Sequence, residues 1–293
     1  MRRRIYGLIL QEIYITKRSL EVIIDTVWFS VLSVIAFGYV AKFISKGQPG
    51  MIGDTILAGM IFWEVIRINQ YSLSLNPLWN IWSGNFCNMF IAPISKTEYL
   101  IAQFIVAFFK SIFIFIINSI VAYYIFGFNI LTIKLPVLVY IFINLSIFAW
   151  AIGLIFIGIV LTVGTRIQAI AWGALFLMQP LMAVFYPVTI LPASIQFVAY
   201  LLPPTYIFEL LRSQMLAGEN IPGQFYFVIL IFNLVILIGS LFIYGNISNS
   251  MDPFSDFIAS SITVCLPPSI SNSIISPNPN LIDCSGVVLR DSR

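Results

Sequence analysis

Long apolar runs, at roughly 22–43, 52–73, 100–126, 136–162, 167–187 and 223–245, take up most of this chain. Each is close to the about 20 residues that a helix needs to cross the hydrocarbon core of a bilayer. Charged residues make up only 9% of the 293 positions and hydrophobic ones 60%, where a soluble domain carries about 25% charged residues. The chain therefore reads as an all-α integral membrane protein with six transmembrane helices. The apolar runs occupy 22–245. Residues 1–21 precede them, and a tail of different composition, 246–293, follows.

The first segment alternates charge with apolar residues. Ile5, Leu8, Ile9, Glu12, Ile13 and Thr16 recur at helical spacing, with Arg2, Arg3, Arg4, Lys17 and Arg18 at the ends. This pattern predicts an amphipathic helix at the membrane interface; a simple polar leader stays open as the alternative, because the apolar stripe is imperfect. No signal-peptide cleavage pattern follows it, so the first apolar run is expected to remain as an anchor. With the N-terminus inside, Arg2, Arg3, Arg4, Lys17, Arg18, Lys96 and Arg166 fall on the cytoplasmic side, against Lys42, Lys46, Lys134 and Arg212 outside. That excess agrees with the positive-inside rule and puts both termini in the cytoplasm of a multi-pass cell-membrane protein. The tail, rich in Ser, Asn, Pro and Ile without a sustained period, is expected to be disordered.

One stretch cannot be an ordinary span. Between Phe185 and Arg212 stand Pro187, Pro192, Pro203 and Pro204, followed at a distance by Pro222. Each proline removes a backbone donor and breaks or redirects a helix, and lipid offers no water to the carbonyls so freed. The segment must lie at the membrane surface or dip in under cover of other helices. Glu209 and Arg212, three residues apart, would share a helix face there.

Charges within the runs are the other residue-level signal. Glu64 and Arg67 stand in the second run and Lys110 in the third. A charge at mid-membrane costs about 2.5 kcal/mol or more, so such groups face protein or water and pair. Glu64 is expected to pair with Arg67, with Lys110 or with both; a buried clamp between helices and a role in a substrate path are both open. Gln103, Asn118, Ser119, Asn144, Ser146, Gln168, Gln179 and Asn233 are expected to bond between helices.

Several function classes lack support. The chain has no histidine, and Cys87, Cys265 and Cys284 are far apart, so neither a Ser/His/Asp set, a metal site nor a disulfide framework is indicated. A phosphate loop is absent, and a net charge of +3 without a basic stripe does not suggest a nucleic-acid partner.

Two loops resemble those of type-2 ABC exporter permeases. Between the second and third runs, Trp82-Ser83-Gly84 leads to Ala92-Pro93-Ile94-Ser95-Lys96-Thr97-Glu98, similar to the Trp/Gly stretch and Ala-Pro-Ile/Leu-Ser run of that family. In the proline-rich stretch, Pro187, Leu191, Pro192, Pro203, Thr205, Tyr206, Glu209 and Arg212 match its Pro-x-x-x-Leu-Pro element and Asn-Pro-Leu-Thr-Tyr/His motif. Leu202 and Pro204 depart from the motif. The resemblance covers about 1–245. It implies a permease subunit moving a lipid, lipid-linked glycan or amphipathic drug, paired as a homodimer or with a second permease. Separate ATPase subunits would bind the ATP and magnesium, and this chain no cofactor. Trp82, Gly84, Pro93, Ser95 and Glu98 would belong to the coupling loop that seats in the ATPase. Pro187, Pro192, Pro203, Tyr206, Glu209 and Arg212 would form a gate of two short re-entrant helices between spans five and six, the second opened by Pro204. Membrane lipids are the other expected partner. A non-transporting membrane scaffold or immunity protein without an ATPase is the alternative, and an intramembrane enzyme or ion channel a third.

Overall fold

The computed structural model describes residues 2–45, 51–82, 95–163, 168–216 and 223–250. Among them every regular element is helical and no strand occurs. Helix α1 is Arg2–Arg18; α2 is Leu20–Ile44; α3, Met51–Trp82; α4, Lys96–Phe126; α5, Leu135–Val163; and α6, Gln168–Leu181. Two short helices follow, α7 at Ala193–Tyr200 and α8 at Pro203–Leu216, then the long α9 at Gly223–Ser250.

Local chemistry explains the boundaries. Ser19, in an extended conformation, separates α1 from α2, and Ile24–Trp28 of α2 is wound as a π-helix. A capping box starts α4: Ser95 Oγ accepts from the Glu98 N–H at 3.2 Å and Glu98 Oε2 accepts from the Ser95 N–H at 3.1 Å, satisfying two donors that a helix start otherwise leaves orphaned. The same helix ends on Gly127 at φ +73°, the left-handed position where a side chain would be strained. Pro180 lies in the last turn of α6, and Ala183 follows at φ +50°. The fifth apolar run, expected to continue to 187, therefore stops being helix at Leu181.

Among the described residues four helices are long and apolar enough to cross a membrane: α2, and the segments Thr97–Phe126, Leu135–Ile159 and Gly223–Ile247 of α4, α5 and α9. The second and fifth expected spans are absent from this set for different reasons. α6 has only 14 residues. α3 is 32 residues long, about 48 Å at 1.5 Å per residue, but its sequence carries Asp54, Glu64, Arg67, Asn69, Gln70, Asn76 and Asn80. Those polar groups are tolerated because α3 is the axis of the bundle, packed against α2, α4, α5, α6 and α8. Consecutive Ile61, Phe62 and Trp63 are all buried, so α3 has no lipid-facing side along this stretch. Close packing is helped where a side chain is missing: a Cβ on Gly153 of α5 would stand 2.8 Å from the Leu73 Cβ, and one on Gly59 2.6 Å from the Val184 carbonyl oxygen.

Side-chain hydrogen bonds stitch the helices together. Asn118 donates to Ser30 Oγ at 2.8 Å, Trp150 Nε1 to Asn69 Oδ1 at 2.9 Å, Asn233 to Asn144 Oδ1 at 3.1 Å, and Tyr140 to the Tyr226 carbonyl at 2.7 Å. Ser119, expected to do the same, donates to Phe115 of its own helix. The last helix runs to Ser250, beyond the expected end at 245; the tail from 251 lies outside the described residues.

Candidate functional site: a clamped cap, a charged cavity and a polar hub

The proline-rich stretch folds into a 3-10 turn at Val188–Ile190 and helices α7 and α8. α8 starts at Pro203, one residue before the expected Pro204, so both prolines sit in the first turn, where a missing N–H costs nothing. Thr205, Ile207, Phe208, Leu210 and Leu211 of α8 are buried against α3 and α5. Side chains supply the donors that prolines and turns leave out. Thr205 Oγ1 donates to the Ala199 carbonyl at 2.7 Å, Tyr206 to that of Tyr200 at 2.9 Å, Gln196 to that of Leu191 at 2.7 Å, and Tyr186 to that of Pro180 at 2.9 Å.

Arg212 and Glu209 lock this cap. Arg212 Nη2 stands 3.0 Å from Glu209 Oε1, and Nη1 donates to the Ala183 carbonyl at 2.8 Å. Glu209 Oε1 in turn accepts from the Val188 N–H at 2.8 Å. One ion pair on α8 thus holds both ends of the turn that leaves α6, including the strained Ala183. Pro187 and Pro192 flank the 3-10 turn as its N-cap residue and the N-cap of α7.

Beneath the cap lies a cavity of about 160 Å³ between α2, α3 and α6. Phe37 on its wall stacks on Phe185 of the cap, ring centroids 4.5 Å apart. Glu64 and Arg67 both line it and are joined by Arg67 Nε donating to Glu64 Oε2 at 2.7 Å. Arg67 also reaches the main-chain carbonyl of Asp25 at 3.4 Å, within the π-helical segment of α2. Lys110 is not among these groups. It lines a separate apolar groove between α1, α2 and α4, near Thr16 and Lys17. The trio singled out in the sequence is therefore split, the Glu64–Arg67 pair in one cavity and Lys110 in another groove. Asp25 joins the pair, and the sequence had one signal for it, an acid inside the first apolar run.

A third constellation centres on Glu12, which is buried. Its Oε1 accepts from Asn80 of α3 at 3.0 Å and from Gln103 of α4 at 2.9 Å, and Gln103 Oε1 accepts from Asn76 at 3.0 Å. Arg4 adds a looser contact to Glu98, 3.8 Å. Contacts of residues 4 and 12 with 98 and 103 run in step, so α1 lies alongside the first turns of α4. Glu12 was legible as an acid in the middle of an apolar stripe. Of the expected coupling-loop residues, Trp82 is the last residue of α3, Ser95 and Glu98 form the cap of α4, and Gly84 and Pro93 lie outside the described residues.

The sequence matches the model of the family described as ABC-2 type transporter over residues 4–216, from α1 to the end of α8. No curated protein matches the chain.

Proposed function

The chain belongs to the ABC-2 type transporter family, and from that premise we propose that it is the membrane permease of an ATP-driven exporter for a lipid, lipid-linked glycan or amphipathic drug. The family is one of multi-pass transport subunits that are not themselves catalytic. The observation that carries the reading is the family match over 4–216, which takes in both motif-bearing stretches. Two such permeases pair, as a homodimer or with a second permease, and separate ATPase subunits supply the energy. Six spans, counting α3 and α6, leave both termini in the cytoplasm, and α7 and α8 re-enter the outer leaflet as the gate.

In this arrangement the segment from Trp82 to Glu98 is the coupling loop. The hub at Glu12 supports a mechanical role, because it ties α1 to the ends of α3 and α4 that flank the loop. A push on the loop would then move three helices as one body, which alternating access by rigid-body rotation requires. Lipid is the further partner: the groove beside Lys17 and Lys110 is almost wholly apolar along Ile9, Ile13, Phe109 and Phe113, fitting an acyl chain below an anionic headgroup.

The test is co-expression with a candidate ABC ATPase subunit, followed by reconstitution into liposomes. The expected result is co-purification and an ATPase turnover that candidate lipids or drugs change. Pro93→Asp and Glu98→Lys should abolish docking. A chain that recruits no ATPase would leave the scaffold or immunity reading in its place, and docking untouched by both disruptive changes would sink the coupling-loop assignment.

A further inference from the structure

The cavity under the cap carries unbalanced charge. Asp25, Glu64 and Arg67 line it, two acids against one base, and no lysine is among its described lining residues. Arg67 is already committed, to Glu64 Oε2 at 2.7 Å and to the main-chain oxygen of Asp25 rather than its carboxylate. One oxygen of each acid is left over: Asp25 Oδ2 and Glu64 Oε1 are buried with no hydrogen-bond partner, on residues 8% and 1% exposed. A charged carboxylate removed from water in this way is costly unless a counter-charge faces it.

The rest of the wall says which kind. Phe29, Phe37, Trp63, Tyr71 and Phe176 line the cavity, and the faces of such rings attract organic cations, as in aromatic cages for quaternary ammonium groups. A small metal ion would want a shell of oxygens, which a wall this apolar does not offer. The volume of about 160 Å³ is close to that of an engineered cavity, about 150 Å³, that holds benzene, so a compact ammonium head fits. The π-helical turn of α2 at Ile24–Trp28 is a further mark, since such bulges recur at functional sites.

We propose that this cavity binds one organic cation, the ammonium head of an amphipathic molecule, with Asp25 and Glu64 as counter-ions and the aromatic wall around its alkyl groups. As a binding site it stands apart from the transport reading; that the cation is a transported substrate rests on that reading.

The test needs neither ATPase nor transport. The full chain, purified in the non-ionic detergent dodecyl maltoside, is titrated with benzyltrimethylammonium by equilibrium dialysis, beside its uncharged carbon isostere neopentylbenzene. Saturable binding of the cation is expected, at least about tenfold tighter than the isostere, an electrostatic contribution of ordinary size for a buried pair. Asp25→Asn keeps the main-chain carbonyl that Arg67 uses and should weaken the cation about tenfold or more. Phe176→Ala, at a position 55% exposed, decides the matter if Asp25→Asn loses its melting transition, and should weaken binding severalfold. No saturable binding, equal binding of the isostere, or a folded Asp25→Asn chain within twofold of the parent would each overturn the proposal.

Discussion

Replacing Arg212 by methionine keeps most of the side-chain volume and removes the guanidinium that locks the cap. Four contacts go at once: two to the Glu209 carboxylate, at 3.0 Å and 3.3 Å, the bond to the Ala183 carbonyl at 2.8 Å, and the longer one to Val184 at 3.5 Å. Arg212 is 5% exposed, so water cannot take over its bonds. A hydrogen bond from a charged donor is worth about 1.5–3 kcal/mol, which covers the Ala183 carbonyl. Breaking a buried ion pair costs about 3–5 kcal/mol, but the Glu209 side chain is 38% exposed, so solvent screening reduces its share to about 1 kcal/mol. The total is about 3 kcal/mol. In a chain of this size 1 kcal/mol moves the melting temperature by about 2–4 °C, so Arg212→Met should melt roughly 6–12 °C below the parent in detergent. Glu209→Gln can still accept from the Val188 N–H and should cost about 1 kcal/mol. Because the two residues form one network, the double variant should melt close to Arg212→Met alone. An Arg212→Met chain within about 1 °C of the parent, or strictly additive losses, would refute the clamp.

Other expectations follow from close approach and from the polar hub. Gly59→Ala places a methyl 2.6 Å from the Val184 carbonyl oxygen, so the cap turn must move; a loss of about 1–3 kcal/mol should appear as a lower melting temperature, and an unchanged one would mean that the turn yields freely. Glu12→Ala strips an acceptor from Gln103 and one of the two acceptors from Asn80, which keeps the Asn76 carbonyl, and should cost about 1–3 kcal/mol, the penalty of leaving a buried donor without its partner. Limited proteolysis should then release α1 sooner, and unaltered cleavage would show that apolar packing alone holds it.

How much of this was written locally can be judged element by element. The apolar runs anticipated the long helices to within a few residues at most ends, because a helix facing lipid must satisfy its own backbone and so needs an unbroken run. The largest exception, α3, overran its run by nine residues, from 73 to Trp82, while α6 stopped six residues short of its run and α9 passed the end of its own by five. In α3 the helix continues through Ser74, Asn76 and Asn80 because neighbouring helices bury those groups. The proline stretch was legible as a non-spanning segment, yet nothing in its composition says that its donors come from Thr205, Tyr206 and Arg212.

Pairs at helical spacing, Glu64 with Arg67 and Glu209 with Arg212, were visible because three residues along a helix bring side chains together whatever surrounds them. Glu12 with Gln103, Asp25 with Arg67, and the separation of Lys110 from Glu64 were not. These depend on how one helix slides and turns against another, and a shift of a single turn, about 5.4 Å, would exchange every partner. Such registers are settled by packing of the whole bundle, at contacts like Gly153 on Leu73 and Gly59 on Val184. A membrane helical chain, a proline-built cap and two local ion pairs, one on α3 and one on α8, thus lie in the order of the residues. The hub at Glu12 and the charged cavity exist only once α1, α2, α3, α4 and α6 have met.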